Sequence, residues 1–162
     1  MARTKRKQVE IYTYSVLDEM LASPINPTSE ASRVHQLTRM WEGLRSIESG
    51  PAPTTDDWRV CSDAVNLLET LVEQGIVEDA SGLLQDAVAA LAMAGKRHHS
   101  HGVIRLDAPG IQAVRAVLED YAACLDVLPA RTMVRCHRET ERRIRDILKG
   151  RRKPHDVEVM DL

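Results

Sequence analysis

The run PARTMVRCHRETERRIRDILK, residues 129–149, decides how this chain folds. Arg131, Arg135, Arg138, Arg142, Arg145 and Lys149 recur in it at spacings of 4, 3, 4, 3 and 4. On a helix that turns about 100° per residue, all six fall within a sector of roughly 80°. Met133, Cys136, Thr140, Ile144, Ile147 and Leu148 share the opposite side. A period of two would scatter both sets over two faces, so the segment reads as a helix. Pro129 opens it with a suitable φ and Gly150 closes it. One face needs an apolar partner and the other suits something negative.

Working back along the chain, each segment repeats the helical pattern. Asp107 caps a fifth helix lined by Ile111, Val114, Val117, Leu118, Tyr121, Cys124 and Leu125. A fourth spans about residues 79–94, with Leu83, Leu84, Ala87, Val88 and Leu91 inward and Gly95 as its stop. Thr54 or Thr55 caps the third, Asp56 and Asp57 suit the positive end of its dipole, and Gly75 ends it. Its apolar residues cover about half the circumference, which predicts a central position. The second runs from Thr28 or Ser29 to about Ile47, with Val34, Leu37, Met40, Trp41, Leu44 and Ile47 as its stripe. The first spans about residues 8–21, and Ser23-Pro24-Ile25-Asn26-Pro27 breaks the chain after it. Alternation of Val9, Ile11 and Thr13 leaves a short strand there as the competing reading. Residues 96–106 read as an irregular stretch. Val103–Leu106 is its one β-like run, and a minor pairing with residues 156–160 is the alternative there.

The expectation is a single all-helical domain, a bundle of five or six helices over residues 8–150. Residues 1–7 form a flexible basic arm and residues 151–162 a C-terminal tail. A chain of 162 residues that is 43% hydrophobic and 28% charged has enough apolar surface for one core. No apolar run approaches the roughly 18 residues a membrane span needs. Cys61, Cys124 and Cys136 are odd in number, match no zinc spacing and sit among apolar neighbours. They are expected as reduced, buried thiols of a cytoplasmic protein.

The net charge of −2 conceals an uneven distribution. Residues 1–7 carry four basic groups, residues 8–128 hold 8 basic against 18 acidic, and residues 129–153 hold 10 basic against 3 acidic. Such a dipolar chain suits a polyanionic partner or self-association of unlike faces. The partner-binding residues are therefore Arg131, Arg135, Arg138, Arg142, Arg145 and Lys149, extended by Arg151, Arg152 and Lys153. Arginine forks onto phosphate or carboxylate. The bland alternative is a solvated face, with Glu139, Glu141 and Asp146 pairing with Arg135, Arg142, Arg143 and Arg145 along the helix. The partner is an acidic protein surface or a nucleic-acid backbone. Base reading is disfavoured, because no aromatic lies near the stripe and no reading helix is evident.

Other chemistry is thin. His98, His99 and His101 could hold a metal only if a third ligand came from elsewhere, with His137, His155 and Asp156 as conceivable donors. The Glu-x-x-His spacing of helical carboxylate metal proteins is absent. So are a Gly-rich phosphate loop and a nucleophile elbow. Cys136 and His137 are adjacent, which on a helix points them about 100° apart. No catalytic residue, metal site or cofactor is assigned, and the chain is expected not to be an enzyme.

Four stretches, HQLTRMW (35–41), DDWR (56–59) on to Asn66, IRLD (104–107) on to Gly110, and RTMVRCHR (131–138), resemble uncharacterised small proteins of proteobacterial prophages, phages and mobile elements. The resemblance covers most of the chain beyond residue 30 and brings no site residues with it. It implies an accessory protein that binds and inhibits or redirects a host machine, including defence systems, or regulates the element's own genes. The function expected is thus a non-enzymatic, oligomeric binding protein acting through the arginine face. The alternatives are a regulatory binder of nucleic-acid backbone and a metal-dependent activity at His98–His101.

Overall fold

The computed structural model describes residues 13–150 of the chain. Among these residues six helices follow one another: α1 (Val16–Leu21), α2 (Glu30–Ser49), α3 (Thr55–Glu73), α4 (Leu84–His101), α5 (Ala108–Val127) and α6 (Ala130–Leu148). No strand occurs among the described residues, only an isolated bridge between Pro27 and Pro129. The all-helical bundle expected from periodicity is what forms.

The breadth of apolar surface on α3 is matched by its neighbours, for it packs against α2, α4, α5 and α6. Cys61, Val65, Leu68 and Leu71 are wholly buried on it, and Trp58 donates its indole N–H to Leu91 O of α4 at 2.9 Å. Each buried Leu or Val contributes roughly 1.5–3 kcal/mol. The start of α3 is a capping box: Thr54 Oγ1 accepts from Asp57 N, and Asp57 accepts from Thr54 N. Asp57 also accepts from Ser46 Oγ of α2 at 2.7 Å, so one carboxylate joins two helices.

Several boundaries move from the sequence reading. The segment before α1 is not helical from residue 13 to 15, and α1 starts at a Ser15–Asp18 capping box. Residues 8–12 lie outside the described residues. Helix α4 begins at Leu84 rather than 79, because the Asp79 carboxylate accepts from Gly82 N and Leu84 N and folds residues 79–83 into a turn. It also runs past Gly95. Ala94 and Gly95 are buried between helices, and that packing outweighs glycine's loss of about 1 kcal/mol in a helix. The stop is Gly102, at φ +70°. The three histidines therefore sit on the last turns of a helix rather than in an irregular loop.

Residues 103–106 form no strand, and residues 156–160, their suggested partner, lie outside the described residues. Ile104 plugs the core instead. Arg105 caps α2, donating to Ile47 O at 2.9 Å and Gly50 O at 2.6 Å, carbonyls that a helix end leaves unpaired. Helix α6 is positioned at its start by the chain break before α2. Ala130 N donates to Asn26 O at 2.8 Å and Arg131 N to Ser23 O at 2.9 Å.

Candidate anion-binding face

Helix α6 runs alongside α3 in the same direction. Cys136 Sγ donates to Leu67 O at 3.3 Å, Thr140 and Thr70 hydroxyls meet at 2.7 Å, and Arg143 reaches Glu69 and Glu73. Met133, Cys136 and Thr140 are buried, as the helical wheel implies. Ile144 and Ile147 are half-buried, and Leu148 is exposed.

Arg143 departs from the sequence reading. It makes none of the pairs expected with neighbours on its own helix. It lies inside the bundle, donating to Glu69 at 2.8 Å and Glu73 at 3.1 Å and to Asn66 O at 3.4 Å. Of the intrahelical pairs expected, Arg142 with Glu139 is present.

The six stripe residues divide into two groups. The first group meets α1. Glu19 takes Arg135 Nε at 2.7 Å on one carboxylate oxygen and Arg138 on the other. Arg131 donates to Met20 O at 2.9 Å and Ala22 O at 3.2 Å. The hydrogen bonds from Arg135 and then Arg138 hold the Glu19 carboxyl below its ordinary range. Arg142, Arg145 and Lys149 form the second group, and all three are exposed. They span about 10 Å of helix, against the roughly 27 Å of the whole stripe. Arg151, Arg152 and Lys153 lie outside the described residues.

Glu19 is the residue the sequence reading missed. Its signal was a Glu between a basic arm and a proline break, opposite no obvious partner. The arginine that pairs with it is 116 residues away, beyond the reach of any local pattern.

The remaining candidates gain little from the fold. All three cysteines are free. Burial pushes the Cys61 and Cys136 thiols up to about 12, which keeps both protonated at neutral pH and removes them as nucleophiles. His137 turns away from Cys136 toward Tyr14, with ring centroids 5.1 Å apart. No group of three or more His, Cys, Asp or Glu among the described residues could hold a metal ion. No described helix is long and apolar enough to cross a membrane. A shallow groove between α4 and α5 is lined by Leu83, Ala90, Met93, Leu106 and Ala113, with Asp86 and Arg97 on its walls.

No protein-family model, no curated protein and no solved structure matches the chain.

Proposed function

We propose that this is a non-enzymatic binding protein that docks on a macromolecular partner through the arginine face of α6. The observation that carries this reading is the two-armed grip of Arg135 and Arg138 on a single carboxylate. A surface that already holds one carboxylate within the molecule has the chemistry to hold another. The resemblance to accessory proteins of phages and mobile elements supports a cytoplasmic role in which the partner is a host or phage machine. Inhibition of a host defence complex is the concrete version. Docking on the acidic surface of a second copy is a further version, and sedimentation at about 50 mM and 500 mM salt tests it through loss of the oligomer as charges are screened.

A nucleic-acid backbone is the second reading, favoured by the exposed Arg142, Arg145 and Lys149. The test compares wild-type protein with the variant Arg142→Glu, Arg145→Glu, Lys149→Glu in capture from host lysate and in titration with a 20-bp duplex. Loss of one specific captured protein in the variant, with no duplex binding by either form, supports the protein partner. Duplex binding that the variant loses supports the second reading. Identical behaviour of the two forms in both assays removes the exposed half of the arginine face, Arg142, Arg145 and Lys149, as the docking surface.

A further inference from the structure

We infer that the arginine face recognises the C-terminal end of a short acidic helix, and that α1 is its built-in, displaceable occupant. This rests on the reading of that face as a docking surface and names the chemistry of what docks.

Three arginines on successive turns of α6 read two features of α1 together. Arg135 and Arg138 take the Glu19 carboxylate. Arg131 takes the main-chain carbonyls of Met20 and Ala22, at the end where a helix leaves its carbonyls unpaired and its dipole is negative. A carboxylate followed within three residues by open helix carbonyls belongs to a polypeptide helix. A phosphate backbone offers repeated phosphates and no counterpart to the carbonyls.

The occupant is weakly held. No side chain of α1 is buried. Val16, Leu17, Met20 and Leu21 are 57–77% exposed, so apolar burial does not fasten the helix to the bundle. What holds it is a pair of ion pairs at the rim, with Arg135 59% and Arg138 32% exposed over a Glu19 side chain that is 14% exposed, and pairs open to solvent on one side weaken with salt. Tyr14 on His137 tethers the segment at one end, and the Ser23 and Asn26 carbonyls on Arg131 and Ala130 N tether it at the other. A stronger acidic helix can therefore take the arginines without breaking the core.

The probe is a fluorescent peptide of residues 13–24, which contains the capping box and Glu19. It is titrated into full-length wild-type protein and the Glu19→Arg variant, whose own α1 is repelled by Arg135 and Arg138. The expected result is binding to the variant about tenfold tighter than to wild type, a difference of about 1.4 kcal/mol. The peptide carrying Glu19→Gln should lose that gain. Equal binding to both proteins overturns the inference, as does a 12-bp duplex that outcompetes the peptide on the variant at the same salt. Hydrogen exchange in the Glu19→Gln protein is the second measurement, should the first variant misfold. The Ala22 amide, bonded to Asp18 O at 3.0 Å, should lose protection in that protein while α3 keeps it, and retained protection overturns the inference. A peptide that fails while the Arg142, Arg145 and Lys149 reversal still costs a captured partner sinks this inference and leaves the docking reading standing. The converse result sinks only the assignment of the exposed half.

Discussion

Arg143 and Glu69 meet at 2.8 Å inside the bundle, with side chains only 8% and 7% exposed. Arg143 follows Arg142 in the chain, yet one is solvated and the other buried, because a helix step rotates the side chain by about 100°. Removing Arg143 leaves the buried Glu69 carboxylate without its cation, whereas removing Glu69 leaves Arg143 its contact with Glu73. Arg143→Ala is expected to cost about 3–5 kcal/mol in urea unfolding, and Glu69→Ala less. The double replacement Arg143→Met with Glu69→Leu should recover most of the loss. A double-mutant cycle with no coupling would show that the pair does not act as a unit.

Charge reversal on the stripe itself should behave differently. Arg135, Arg138 and Arg142 contact only exposed or half-buried groups, and the helix that Arg135 and Arg138 hold buries no side chain. Reversal of all three to Glu is expected to change stability by less than about 1 kcal/mol while releasing α1. Thermal unfolding and hydrogen exchange of residues 16–22 read the two effects separately. A large loss of stability would mean that α1 braces the fold.

His137 predicts an acid limb. Burial pushes its imidazole from 6.5 down to about 4. In the unfolded chain the ring takes up a proton near pH 6.5, and in the folded protein only near 4. The unfolded state therefore binds more protons between these values. The contribution is complete above about pH 6.5 and is lost as pH falls through 4, with a ceiling of about 3 kcal/mol. Glu19 acts in the same direction, since its depressed carboxyl favours the α1 contact above its ordinary range and loses it in acid. NMR titration of the His137 ring checks this, and a midpoint near 6.5 would contradict it.

At Gly43, α2 lies close against the first turns of α3. A Cβ there would lie 2.5 Å from Val60 Cγ2 and 2.9 Å from Asp57 O. Gly43→Ala is expected to destabilise by about 1–3 kcal/mol, and adding Val60→Ala should not restore it fully, because the Asp57 carbonyl cannot yield. Gly75→Ala should cost about 1–2 kcal/mol for another reason, its φ of +66°, since the space around it is open. Urea midpoints of the three variants compare these costs.

The salt dependence of any duplex binding counts the arginines in use. Arg142, Arg145 and Lys149 alone predict a slope of log K against log salt of about −2.7, whereas all six stripe residues predict about −5. The shallow slope in wild type and a steeper one in Glu19→Gln, which adds no cation, would show that α1 masks half the face.

The sequence by itself determined the helices, the central place of α3 and the angular sector of the basic stripe. All three follow from local rules: periodicity, the Thr54–Asp57 and Asp107 caps, and the breadth of an apolar face. It could not show that α4 runs on through Gly95, which it took for the stop, to Gly102, because a glycine buried within a helix looks like a terminal one until the packing is seen. Nor could it say which arginines are free. A helical wheel gives an angle and not what stands opposite. Glu69 lies 74 residues from Arg143, and Glu19 lies 116 from Arg135. Only the packing of α3 and α1 against α6 brings those charges together. It turns part of an apparently open stripe into an internal contact and leaves Arg142, Arg145 and Lys149 facing solvent.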